Sequence, residues 1–212
     1  MSVPAPMPPI RIMIVDDHPL LRIGVSAIIA CQADMALVAE ATNGHEALEQ
    51  YRKVRPDVTL MDLQMPDMNG VDAIIAIRKE FANARIVVLT TFAGDAQALR
   101  ALKAGAVGYL LKGTVRKDLL DTVRAIHSGK RHIPPDIAQE IAFHAADEAL
   151  SEREISVLRH VAEGKANKEI AWLLSISEDT VKAHMRSLFS KLDVGDRTQA
   201  VTAALRRGII DL

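Results

Sequence analysis

The stretch Ile10-Arg-Ile-Met-Ile-Val-Asp-Asp17 is a β-branched apolar run that stops abruptly on two carboxylates, and it opens a pattern that continues to about Gly129. Further apolar runs stand at Ala36-Leu-Val-Ala39, Asp57-Val-Thr-Leu-Met61, Arg85-Ile-Val-Val-Leu89 and Val107-Gly-Tyr-Leu-Leu111. Between and after them, Leu20–Cys31, His45–Val54, Val71–Phe81, Ala96–Ala104 and Val115–His127 carry helical spacing, with Gly or Pro at several boundaries. A strand-helix unit repeated five times predicts an α/β domain, a (βα)5 doubly wound parallel sheet, because parallel neighbours need crossover connections that cover both faces. In such a sheet ligands gather at the carboxyl ends of the strands, near the point where strand order reverses.

After Gly129 the pattern changes. Arg131-His-Ile-Pro-Pro135 leads into a weakly amphipathic stretch, 137–150, and Ser151-Glu-Arg-Glu154 is a helix-capping signal. From there helical spacing runs through 151–163, 167–174, 178–191 and 196–207, with Gly164 and Gly208 as stops and Ser177 as another cap. The expectation is a small all-α four-helix domain. The expected division is a disordered tail at 1–9, a first domain at 10–129, a linker at 130–149 and a second domain at 150–212.

Composition sets limits on function. The net charge of −1 argues against a protein that coats nucleic acid or anionic membrane without selectivity, so any DNA contact must be local. The lone cysteine, Cys31, allows no intramolecular disulfide and fits a reducing cytoplasm, and its apolar neighbours predict core packing. Met1 to Pro9 holds four prolines and no cation, unlike a signal peptide. No apolar run approaches the roughly 18 residues that cross a bilayer, so neither a membrane span nor export is expected.

The chemistry lies at the strand ends. Asp16 and Asp17 follow the first strand and Asp62 the third, so three carboxylates converge on one edge of the sheet. Like charges so placed are costly unless neutralised, and Mg²⁺ suits a small carboxylate site that keeps waters and accepts a phosphate oxygen. Thr90 after strand four and Lys112 after strand five add a hydroxyl and an ammonium. Together they suit phosphoryl binding or transfer, where catalysis is mostly positioning and charge neutralisation. His18 follows the acidic pair and offers a metal ligand, but its expected role is that of a polar helix-start residue.

These residues resemble the receiver domain of response regulators: Val15-Asp-Asp-His18, Met61-Asp-Leu-Gln-Met-Pro66 with Gly70, Leu89-Thr-Thr91, and Ala104-Gly-Ala with Gly108-Tyr-Leu-Leu-Lys112. The resemblance implies that Asp62 is the phosphoacceptor and that Asp16, Asp17 and Asp62 hold Mg²⁺, with the backbone carbonyl of Gln64 completing the metal shell. It also implies that Thr90, Lys112 and Tyr109 form the switch, with Thr90 and Lys112 binding the phosphoryl group and Tyr109 turning inward. Gly113 departs from the proline that often follows the lysine in receivers, which bears on the local loop and not on Lys112. Gln64 and Phe92 flank the path of an attacking water in this family, and bulky Phe92 is expected to slow hydrolysis of the aspartyl phosphate.

The second domain resembles the LuxR-type helix-turn-helix through Leu150-Ser-Glu-Arg-Glu-Ile155, Gly164-Lys-Ala-Asn-Lys-Glu-Ile-Ala171, Thr180-Val-Lys-Ala-His184, Lys191-Leu-Asp-Val194 and Arg197-Thr-Gln-Ala200. Paired with a receiver, it resembles the NarL/FixJ class of regulators. Val181, Met185, Leu188 and Leu192 recur at helical spacing and should face the core, leaving Lys182, Ala183, Arg186 and Ser190 as the outer stripe. A recognition helix reads bases mainly with its N-terminal side chains. Lys182 and Arg186 can donate to guanine or phosphate and Ala183 can touch a thymine methyl. His184 lies nearer the inner face, where core or phosphate contact is expected, and Asn167, Lys168, Thr180 and Lys191 are expected on phosphates. Residues 150–212 carry ten Lys/Arg against nine Asp/Glu, so a weakly binding monomer is expected, and the resemblance implies a homodimer formed on phosphorylation.

The function these readings imply is a cytoplasmic two-component response regulator and not a metabolic enzyme. Its implied partners are a sensor histidine kinase, a double-stranded DNA operator and a second copy, with RNA polymerase a further candidate. A phosphorylation-independent DNA-binding regulator that uses the receiver only as a dimerisation module remains the alternative. A haloacid-dehalogenase-type phosphatase would carry a second aspartate two residues after the nucleophile, where this chain has Gln64.

Overall fold

The computed structural model describes residues 8–91, 95–144 and 149–210, and the expected tail at 1–9 lies largely outside them, as does Phe92. The strands are β1 (Ile10–Val15), β2 (Met35–Ala41), β3 (Val58–Asp62), β4 (Ile86–Thr90) and β5 (Gly108–Leu111). All pair in parallel, in the order β2-β1-β3-β4-β5. Helices α1 (Pro19–Ala30), α2 (Gly44–Val54), α3 (Gly70–Glu80), α4 (Asp95–Lys103) and α5 (Val115–His127) alternate with them. The predicted (βα)5 order is the observed one.

Near-continuous apolar strands are what a sheet covered on both faces requires. Ile12 and Ile14 of β1 cluster with Val25 and Ile29 of α1 and Val123 of α5. Met13 and Val15 point the other way and are also fully buried, so from Ile12 onward neither face of β1 meets water, while Arg11 near its start is exposed. Helices α1 and α5 touch each other, and so do α2 and α3. Strand order reverses between β1 and β3, which puts the ends of these two strands, Val15 and Asp62, beside the crevice.

The chain divides into two compact units, Met1–Thr91 with Ala98–Ala138, and Phe92–Gln97 with Gln139–Leu212. Pro135–His144, inside the stretch expected to link the domains, forms a helix, α6. Four more follow: α7 (Glu152–Ala162), α8 (Asn167–Leu173), α9 (Glu178–Leu192) and α10 (Arg197–Arg206). Val157, Leu158, Ile170, Val181, Leu188 and Ala204 are part of their common core. Gly164 and Gly208 follow α7 and α10 with φ of 81° and 65°, the left-handed turn in which glycine has no Cβ to strain. One expectation is corrected: Cys31 is exposed, because α1 ends at Ala30 and the cysteine caps it rather than entering the core.

Candidate functional site

Three strand ends and one loop build the acidic cluster. Asp16 follows β1 and is fully buried, Asp62 closes β3 at 2% exposure, and Lys112 follows β5. Lys112 Nζ stands 2.7 Å from Asp16 Oδ2 and 2.7 Å from Asp62 Oδ2. The contact with Asp62 is an aligned hydrogen bond, whereas Asp16 Oδ2 is held by charge without one. The ammonium is itself positioned by the sheet, since the Lys112 backbone N–H donates to the Thr90 carbonyl at 2.7 Å. Asp16 Oδ1 accepts the His18 N–H at 2.8 Å, and Asp62 Oδ1 accepts the Gln64 N–H at 3.3 Å.

His18 stands at the start of α1 as expected, and it also faces the acidic pair. It caps α1 by position without a side-chain capping bond, and its Nδ1 lies 3.1 Å from Asp16 Oδ1 and 2.7 Å from Asp17 Oδ1. One ligand atom from each of Asp16, Asp17, His18 and Asp62 falls within 4.8 Å of all the others. Three carboxylates against one ammonium leave the cluster negative, and a divalent cation would balance it. Burial pushes the Asp62 carboxyl above its usual range, and Lys112 offsets this only in part. For Lys112, burial acts to lower the ammonium, but its pairing with Asp16 and Asp62 prevails and raises it. The donor set therefore fits a hard divalent cation, with buried oxygen ligands in excess of local positive charge.

Gly70 shapes the same edge. A Cβ there would lie 1.9 Å from the Asp62 carbonyl oxygen, and the Gly70 N–H donates to the Leu63 carbonyl at 3.0 Å. The start of α3 is thus pressed against the end of β3, capped by Asn69 Oδ1 accepting from the Asp72 N–H at 3.0 Å. Thr90 ends β4 and Tyr109 lies in β5, and both are buried, Tyr109 completely.

In the second unit, Val181, Met185, Leu188 and Leu192 of α9 are buried while Lys182, Ala183, Arg186 and Ser190 are exposed, the division predicted from periodicity. Ser177 caps this helix, accepting the Thr180 N–H at 3.0 Å. Lys182 Nζ lies 3.2 Å from Asp179 and 3.5 Å from Glu178, so its charge is partly matched within the helix. Asn167 Oδ1 accepts from Arg197 at 3.5 Å, and Lys168 is exposed. Thr180 Oγ1 lies 2.8 Å from Ser177 Oγ, and His184 is half-buried.

Comparison with known proteins adds the family. The response regulator receiver domain matches residues 12–124, and the luxR family of bacterial regulatory proteins matches 148–204. The chain belongs to the response regulators. Response regulator protein VraR of Staphylococcus aureus is 38% identical over 206 residues, covering 95% of this chain and 99% of that one. The response regulator ChrA of a heme-sensing two-component system is 36% identical with a TM-score of 0.57, over 96% of this chain and all of that one. The response regulator in the RcsB–DNA complex is 26% identical with a TM-score of 0.68, covering 93% of this chain and 98% of that one. This response regulator therefore joins a receiver to a LuxR-type DNA-binding domain, and among its described residues no helix is long and apolar enough to cross a membrane.

Lys191, expected on a phosphate, has partners within the domain. Lys191 of the response regulator is only 14% exposed and its Nζ lies 3.0 Å from Glu154 Oε2, with a further bond at 3.3 Å to the Ala149 carbonyl. Glu154 itself was legible only as half of a capping box. No local signal announces that its carboxylate also reaches a helix more than thirty residues away.

Proposed function

We propose that phosphorylation of Asp62 by a partner histidine kinase controls sequence-specific DNA binding by this response regulator, and hence transcription. The observation that carries the proposal is Lys112 Nζ held 2.7 Å from both Asp16 and Asp62 at the end of the parallel sheet. A buried carboxylate beside a fixed ammonium is shielded from water and faces a group that can pair with an incoming anion. Mg²⁺, held by the carboxylates of Asp16, Asp17 and Asp62 and the Gln64 carbonyl, would supply neutralising charge to the phosphoryl oxygens. An Asp62 oxygen forms the new P–O bond while the P–N bond to the donor imidazole breaks, its electron pair leaving on nitrogen. Lys112 and Thr90 then bind the phosphoryl oxygens, and the added charge of about −1.5 to −2 redistributes their contacts and those of Tyr109.

The receiver, residues 10–129, is joined by 130–149 to the DNA-binding domain, residues 150–212. Lys182, Ala183 and Arg186 read base edges, while Asn167, Lys168, Thr180 and His184 lie toward phosphates. The phosphorylated protein acts as a homodimer on a double-stranded operator in the cytoplasm. Its own chemistry is limited to phosphoryl uptake and hydrolysis. The test is to incubate the full chain with Mg²⁺ and phosphoramidate and follow intact mass, beside Asp62→Asn. One added phosphoryl group that the variant does not acquire, with a change in oligomeric state, is the expected result. No added mass under any donor would leave DNA binding standing with the receiver as a dimerisation module.

A further inference from the structure

Among the described residues of the second unit, Glu154 is the most enclosed charged side chain, and it is not one of the expected DNA-contacting residues. Its carboxylate accepts the Ser151 N–H at 2.7 Å and the Ser151 hydroxyl at 2.9 Å, which closes the capping box at the start of α7. It also accepts the Ser187 hydroxyl at 2.5 Å and pairs with Lys191 Nζ at 3.0 Å, and both of those residues belong to α9. Ser187 and Lys191 are four residues apart, so they lie one above the other on one side of the helix. Ser187 adjoins Arg186, and Lys191 adjoins Ser190, so this side borders the exposed stripe of Lys182, Ala183, Arg186 and Ser190.

The inner side of α9 is held by Val181, Met185, Leu188 and Leu192. Apolar contact is non-directional, so it keeps α9 buried without setting its rotation finely. Hydrogen bonds and ion pairs have narrow geometry. Two polar anchors one turn apart, both made to one carboxylate, fix the rotation and the axial position of the helix together. A base contact tolerates little misplacement, because a bidentate pair holds only when both of its bonds are aligned.

We infer that Glu154 is a positioning residue for DNA recognition: through Ser187 and Lys191 it sets the rotation of α9 that presents Lys182 and Arg186 to base edges. The inference rests on the reading of α9 as the recognition helix. It also reassigns Lys191, whose charge is spent inside the domain and not on phosphate.

The experiment first selects a preferred duplex from a randomised double-stranded DNA library with the wild-type full chain. Binding of wild type, Glu154→Gln and Ser187→Ala is then measured on that duplex and on a scrambled one, well below the melting temperature of each protein. Glu154→Gln is expected to bring the two affinities closer by about tenfold, the worth of one good base contact, with scrambled-duplex binding nearly unchanged. Ser187→Ala should do the same to a smaller degree, and it carries the test if Glu154→Gln does not fold. A merely structural role would weaken both duplexes in proportion and leave their ratio at the wild-type value, and that result overturns the inference. Lys182→Ala and Arg186→Ala separate the two levels: if they leave the ratio unchanged, α9 is not the reader and the positioning role falls with it.

Discussion

Acidifying the full chain should weaken its second unit through Glu154 in a way that can be isolated by one substitution. The carboxylate is buried, a cost that its hydrogen bonds from Ser187 and Ser151 and its pairing with Lys191 more than offset, and its pKa falls from 4.5 to about 2. Since the folded value lies below the unfolded one, the stabilisation is complete above about pH 5 and is lost as pH falls toward about 2. That interval corresponds to about 3 kcal/mol at neutral pH, of which about 1 kcal/mol remains at pH 3. The measurement is urea unfolding at a series of pH values, followed through an isotope-labelled methyl resonance of Met185, which is buried in the same unit. Other carboxylates titrate alike in wild type and in Glu154→Gln, so the difference between the two proteins reports Glu154 alone. It should be about 3 kcal/mol at pH 7 and shrink steadily below pH 5. A difference that stays constant from pH 7 to pH 3 would refute the linkage, and so would one near zero at pH 7.

Two further outcomes follow from the geometry. Gly70→Ala places a methyl group 1.9 Å from the Asp62 carbonyl oxygen and should cost about 2 kcal/mol of stability while slowing phosphoryl uptake, whereas Gly113→Ala, which meets nothing within 4 Å, should change neither; thermal melts and phosphorylation time courses decide it. In the salt dependence of DNA binding, Lys168→Ala should reduce the slope of log K against log salt by about one, while Lys191→Gln should leave it unaltered because that charge is paired with Glu154; a reduction for Lys191→Gln would return it to the phosphate-contacting set.

The strands were legible because each holds a short apolar run that alternates with a helical pattern, and the acidic edge because Asp16, Asp62 and Lys112 close or follow such runs. Periodicity also predicted which side of α9 is buried, since burial on a helix repeats with its own turn. What failed to show was anything decided by a tertiary partner. Cys31 was read inward from its apolar neighbours, but a residue just past a helix end follows the loop and not the helix face. Helix α6, Pro135–His144, lies within the stretch expected to link the domains, and its amphipathic pattern is weak. Lys191 was read as a phosphate contact because it is a cation near the end of a recognition helix. Its length equally lets it turn back to a carboxylate on α7, and only the packing of α7 on α9 decides between the two.

The lysine–carboxylate pairings of Glu154 and of Asp62 show how similar ingredients yield opposite roles. At Glu154, hydrogen bonds from Ser187 and Ser151 join the Lys191 pairing and hold the pKa well below normal, so the ionised form is satisfied. At Asp62, burial outweighs the pairing with Lys112, and the nearby Asp16 charge adds to the cost of ionisation. A satisfied carboxylate is a structural anchor, because any change of partner costs free energy. An under-compensated one gains from each positive charge brought to it, and a cation or a covalent bond at its oxygen relieves the strain of burial. The response regulator thus keeps its fixed charge in the unit that must hold a shape on DNA. Its unresolved charge stands at the sheet edge, where the proposed phosphorylation of Asp62 would change it.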